Sequence, residues 1–119
     1  MLKIISPDTG KKIRIADENI DAEMDWYQAV QACKNLGKNW RLPSITELEV
    51  IFEELHVKEK GGFTSGVYWS GNEGLYSKDD KEESAWLFKI ITPYPRGGWP
   101  SIASGKHNLC FVRAVCDII

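Results

Sequence analysis

The chain has 119 residues, 43% hydrophobic and 27% charged, which is the length and balance of one globular domain spanning residues 1–119. A net charge of −2, with no basic run of four or more residues, excludes the electrostatic footprint of a nucleic-acid-binding protein. No apolar run approaches the roughly 20 residues that cross a bilayer, and the start MLKIISPDTG lacks the basic and apolar regions of a signal peptide, so a soluble chain without an export signal is expected.

The first predicted element is a hairpin. Leu2 to Ile5 and Lys12 to Ile15 are short apolar-rich runs flanking Ser6-Pro7-Asp8-Thr9-Gly10, where Pro sets φ for a turn and Gly accepts positive φ. Leu2, Ile4, Ile13 and Ile15 need a partner surface, and the terminal strand is the expected one. Residues 16–24 are polar and read as a connection. Asp25 then caps a helix whose apolar stripe is Trp26, Ala29, Val30, Cys33 and Leu36. Gly37 sits where a left-handed cap ends it. Pro43-Ser44-Ile45-Thr46-Glu47 carries a capping box for a second helix, with Leu48, Ile51, Phe52 and Leu55 as its buried face and fraying expected from His56 to Lys60.

The second half is strand-like. Val67 to Ser70, Ser84 to Ile91 and Cys110 to Cys116 are β-branched and aromatic runs, and the two-faced apolar pattern of Ala85-Trp86-Leu87-Phe88 predicts a central strand. Residues 71–83 and 92–109 are expected as long irregular loops, a length that in a compact domain points to function or disorder. Five Trp, four Tyr and four Phe supply enough apolar area for a core without metals.

The candidates for chemistry are few. Cys33, Cys110 and Cys116 cannot all pair within one chain, which leaves reduced thiols or one disulfide with a thiol over. No CxxC occurs, so neither a zinc site nor a redox pair is expected. His107 precedes Cys110 by three residues, but no third orienting group is evident for a nucleophile. The run Lys78-Asp79-Asp80-Lys81-Glu82-Glu83 lacks the spacing of an EF-hand loop and fits a solvated tip. No glycine-rich phosphate loop, HExxH or GxSxG is present, so no cofactor or metal is expected. Arg41, between the helices, and Arg113, within an apolar run, are read as paired structural charges.

Three segments together resemble a known bacterial family. Trp26 to Gly37 leads into Asn39-Trp40-Arg41-Leu42-Pro43-Ser44 and Glu47-Leu48. Tyr68-Trp69-Ser70 is followed by Ala85-Trp86, and Phe111-Val112-Arg113-Ala114-Val115 lies near the end. This order is similar to the Lcl C-terminal domain family, related to C-type-lectin-like and formylglycine-generating-enzyme-like folds. The resemblance covers the chain from about residue 24 to residue 116. It implies an α+β, C-type-lectin-like fold in which two helices flank a small twisted antiparallel sheet with long loops. It also implies that Trp40, Leu42, Pro43, Leu48, Trp69, Trp86 and Val112 are framework. Members often sit on exported or surface-attached proteins, and some are thought to bind polysaccharides. In many members the helix cysteine pairs with one in the last strand, where Ala114 stands here, so the resemblance leaves a shifted Cys33–Cys116 pairing open. The glutamate-proline-asparagine and tryptophan-asparagine-aspartate signatures of calcium-dependent lectins are absent.

The function expected is therefore a non-catalytic binding module for a glycan or a protein surface. Residues 92–108 would present the ligand surface, with 71–83 beside them. Tyr94, Arg96 and Trp99 are its candidate residues, because Gly97-Gly98 permits an unusual backbone path while Pro95 and Pro100 limit its freedom. Two competing readings are an enzyme of the formylglycine-generating kind using a reactive cysteine, and a purely structural module of a surface assembly.

Overall fold

Ser6 to Gly10 turns the chain between β1 (Leu2–Ile5) and β2 (Lys12–Ile15) in the computed structural model. Gly10 takes φ +74°, and its amide donates to the Ser6 carbonyl at 2.8 Å. The structure describes residues 2–20, 22–56, 60, 62–73, 84–90 and 99–118, with His56 and residues 99–104 described by backbone alone. Register Ile4↔Ile13 and Leu2↔Ile15 places Ile4, Ile13 and Ile15 on one buried face, as a period of two requires. β2 then pairs with β7 (Val115–Asp117), and β7 pairs on its other side with β3 (Trp40–Arg41). The first hairpin thus lies beside the terminal strand, as its apolar residues demanded.

Helix α1 (Trp26–Asn35) begins at Asp25, whose carboxylate accepts from the Gln28 amide while the Gln28 side chain accepts from the Asp25 amide. Ala29 and Cys33 are buried. Leu36, expected to complete the stripe, is instead 49% exposed; it is the C-cap, one residue past the end of the helix at Asn35. Helix α2 (Ile45–Ile51) carries the expected capping box between Ser44 and Glu47. It continues as a wide π-helical turn over Phe52–His56, and the Lys60 amide donates to the Leu55 carbonyl. Residues 57–59, within the stretch expected to fray, lie outside the described residues.

A second antiparallel sheet runs β4 (Gly66–Glu73), β5 (Ser84–Ile90) and β6 (Trp99–Gly105), with β5 central as expected. Gly66 is required where it stands: its φ is +146°, and a Cβ there would lie 2.8 Å from the Phe111 ring.

Three expectations need correction. Residues 92–109 are not irregular throughout, since 99–105 form β6. Its small and polar residues have weak strand propensity, and pairing with β5 supplies the order. Gly71 to Glu73 likewise belong to β4. The run Cys110 to Cys116 is not one strand: Cys110 bridges Met24, Phe111 bridges Tyr68, and only Val115 onward joins β7. That run crosses from the second sheet to the first, so the single small sheet expected is two. Two apolar clusters fill the interior. One centres on Ile15, Leu48, Tyr68 and Phe88, the other on Cys33, Leu42, Trp69 and Val112. Among the described residues, no helix is long and apolar enough to cross a membrane.

Candidate functional site

The N-terminus of α2 is where distant parts of the chain meet. Glu47, with no exposed surface, is gripped from three directions. Arg41 donates through Nη1 to Oε1 at 2.7 Å and through Nη2 to Oε2 at 2.9 Å. The Ser6 hydroxyl donates to Oε2 at 2.6 Å, and the Ser44 amide to Oε1 at 2.9 Å. Burial alone would push the Glu47 carboxyl up, but the hydrogen bonds from Arg41, Ser6 and Ser44 and the Arg41 charge outweigh it and hold it at about 2. Arg41 also reaches Asp117 in β7 through Nε and Nη2, both at 2.9 Å. This clamp joins the first hairpin, α2 and the last strand.

Beside the clamp the chain opens into a groove. Asp8, in the hairpin turn, accepts from the Ser44 hydroxyl at 2.5 Å and from the Thr46 hydroxyl. Asn72, near the end of β4, accepts from the Ile45 amide at 2.8 Å. Between this fastened first turn of α2 and the half-buried Trp86 of β5 lies a cavity of about 600 Å³, with Glu73 on its wall. A second hollow of about 380 Å³ shares Ser44 and Asn72 and extends toward Trp26, Val30 and Leu42.

The indoles around the groove are held differently. Trp26 donates its N–H to the Ser70 carbonyl at 3.0 Å, and Trp69 donates to that of Met24 at 2.8 Å. Behind Trp26, the buried Lys106 places its ammonium 4.1 Å from the ring centroid, 5.4 Å from that of Tyr27 and 3.1 Å from Glu73 Oε2. Burying an ammonium needs such partners, and two π faces and a carboxylate provide them.

The thiols offer little to catalysis. Burial pushes Cys33 and Cys110 up to about 12, with the Glu23 charge adding to the rise at Cys110. Neither holds an appreciable thiolate at neutral pH. All three cysteines are free, so Cys33 and Cys116 are not joined, and Cys116 lies opposite Trp40 in the β3–β7 pair. His107 is exposed and faces Tyr27 at 6.3 Å. Among the described residues no group of three or more His, Cys, Asp or Glu is placed to hold a metal. Residues 78–83 lie outside them.

The residues singled out from sequence fall in three places. Arg41, Glu47, Leu42, Pro43 and Leu48 form and back the clamp, and Trp26, Trp40 and Trp86 are half-buried around it. Arg113 is buried elsewhere, its guanidinium 4.2 Å from the Phe63 ring and donating to Asn19 Oδ1 and the Ala16 and Gly62 carbonyls. Tyr94 and Arg96 lie outside the described residues, and Trp99 is described only by its backbone, opposite Lys89 at the start of β6. The groove residues Asp8, Thr46, Asn72 and Glu73 were missed, as was Lys106. Asp8 reads as a turn residue and Thr46 as an ordinary helix position, and nothing local links either to Asn72.

No family model matches the chain, and neither does any curated protein. Among solved structures it is similar to the crystal structure of EMS16, an antagonist of the collagen receptor integrin alpha2beta1 (GPIa/IIa). The TM-score is 0.59 over 90% of this chain and 91% of that one, at 14% sequence identity. EMS16 is a C-type-lectin-like protein, and at that identity the likeness is one of fold. With two helices and antiparallel sheets, the chain has a C-type-lectin-like α+β fold.

Proposed function

We propose that the chain is a non-catalytic bacterial binding module of the Lcl C-terminal domain kind, acting at the cell surface on a glycan or a protein surface. The observation that carries this reading is the groove between α2 and Trp86: open, with polar side chains on a largely apolar wall beside the hydrogen-bonded clamp, in the size range of about 300–1,000 Å³ typical of small-molecule sites. The reactive-cysteine alternative is disfavoured because Cys33 and Cys110 are buried and titrate near 12. EMS16 is named for antagonism of a receptor, so this architecture can serve protein recognition.

Tyr94, Arg96 and Trp99 form a second part of the proposed surface. Trp99 begins a strand paired to β5. Aromatic and arginine side chains are enriched where binding energy concentrates. Glycan-array and pull-down screens of the wild type and Trp99→Ala test the reading. Binding by the wild type that is lost in Trp99→Ala at unchanged melting temperature supports it. No ligand in either screen opposes the module reading, and a stability loss of about 3–5 kcal/mol makes Trp99 a core residue instead.

A further inference from the structure

The groove differs from the clamp in what its polar atoms still lack. Asn72 gives its carbonyl oxygen to the Ile45 amide, and its Nδ2 has no protein partner among the described residues. Glu73 receives Lys106 on Oε2, and its Oε1 has no partner among the described residues. The Trp86 indole N–H likewise has no partner among the described residues, whereas Trp26 and Trp69 both donate to backbone carbonyls. Asp8 accepts one hydroxyl on each carboxylate oxygen and retains lone-pair capacity on both.

These open groups narrow the ligand. Donors from Asn72 and Trp86 and acceptors from Glu73 and Asp8 line one cavity. A ligand whose groups both donate and accept satisfies all of them, and hydroxyls do so. An anion would meet two carboxylates, and Arg41, which lines the adjoining hollow, is already committed to Glu47 and Asp117. A strong cation gains little, since Lys106 offsets Glu73 and two hydroxyls already donate to Asp8. A wholly apolar ligand would desolvate the open groups without replacing their hydrogen bonds. The half-buried Trp86 ring adds an aromatic surface on which the C–H side of a sugar ring can pack.

We propose that this groove binds a neutral saccharide of one or two pyranose rings, with Asn72 and Trp86 donating to its hydroxyls and Glu73 and Asp8 accepting from them. The proposal rests on reading the chain as a binding module but assigns the ligand to residues separate from Tyr94, Arg96 and Trp99.

The test follows the indole and side-chain amide NMR signals of the ¹⁵N-labelled chain titrated with cellobiose, maltose and lactose. A glucuronic-acid-containing disaccharide is the anionic comparison. At least one neutral disaccharide is expected to move the Trp86 indole and Asn72 amide signals saturably while the Trp69 indole stays in place. Asn72→Asp keeps the oxygen that caps Ile45 but removes the amide donors, and Trp86→Phe keeps a ring but removes the N–H. Each is expected to weaken binding about tenfold, the worth of one good hydrogen bond. An undisturbed Trp69 signal confirms that each variant is folded. The proposal is overturned if no neutral disaccharide moves the two signals, if the anionic sugar binds more tightly, or if both variants bind like the wild type. Sugar binding abolished by Trp99→Ala but untouched by both groove variants would leave the module reading standing and remove this site.

Discussion

The clamp around Glu47 and the groove around Trp86 share the first turn of α2 and treat polar atoms in opposite ways. In the clamp both carboxylate oxygens of a fully buried glutamate are occupied, by Arg41, Ser6 and the Ser44 amide. In the groove beside it, Asn72, Glu73 and Trp86 each keep a hydrogen-bonding group with no protein partner among the described residues. Saturated polar clusters fix geometry, because removing any member strands the others. Unsaturated ones on an open wall exchange water for a ligand at little cost. The same helix terminus is therefore a structural joint on one side and, in the reading proposed above, a recognition surface on the other.

The comparison breaks most sharply at Glu47. Glu47→Ala leaves the Ser6 hydroxyl and the Ser44 amide without their acceptor and Arg41 with Asp117 alone, and urea unfolding should show a loss of about 3 kcal/mol, the low end of the cost of removing one partner of a buried pair. A loss below about 1 kcal/mol, the range of surface pairs, would make the clamp ornamental. Acid gives the same result more gently. Glu47 is held at about 2, below its ordinary 4.5, so the unfolded chain takes up its proton first as pH falls. Its contribution is complete above about pH 4.5 and is lost as pH drops toward 2, on the order of 2–3 kcal/mol in the wild type. In Glu47→Gln most of that slope should be gone, and an unchanged slope in the variant would place the acid sensitivity elsewhere.

Asn72 sharpens the contrast because it belongs to both sides. Its Oδ1 caps the Ile45 amide, so Asn72→Ala should cost about 1 kcal/mol in thermal unfolding, whereas Asn72→Asp keeps the acceptor and should cost much less. Equal losses in the two variants would mean that the amide donors, not the cap, hold the turn.

What could be read from sequence divides along the same line. Both helix starts were legible, Asp25 as a capping carboxylate ahead of an apolar stripe and Ser44 because its partner Glu47 lies three residues on; Gln28, which completes the first box, was not read. The hairpin was legible from Pro7, Gly10 and alternating isoleucines. β6 was not, because Trp-Pro-Ser-Ile-Ala-Ser-Gly has little strand preference and depends on Lys89, Leu87 and Ala85 opposite it. Arg41 could be read as paired, but its partners are six and 76 residues away, and only the nearer sits in a local motif. The groove was the least legible part. Asp8, Thr46, Asn72 and Trp86 come from four separate segments, and each has an ordinary local reading as a turn, helix or strand residue.

The smallest expected effect on stability is also the most informative. Trp69 and Trp86 occupy neighbouring strands, yet one is fully buried with its N–H on the Met24 carbonyl and the other is half-buried with that N–H open. Trp69→Phe should cost about 2 kcal/mol or more, because it opens a void in a packed interior and removes a made hydrogen bond. The Met24 carbonyl keeps the Cys110 amide at 3.0 Å, which limits the polar share of that loss. Trp86→Phe removes a group that has no partner among the described residues and leaves a gap that solvent can enter, so about 0.5 kcal/mol is expected, within the usual surface range. Parallel thermal melts decide between a core and a site reading of Trp86. If Trp86→Phe loses as much as Trp69→Phe, Trp86 is core and the groove wall is packing; if it melts like the wild type, its indole N–H is held available for something other than the fold.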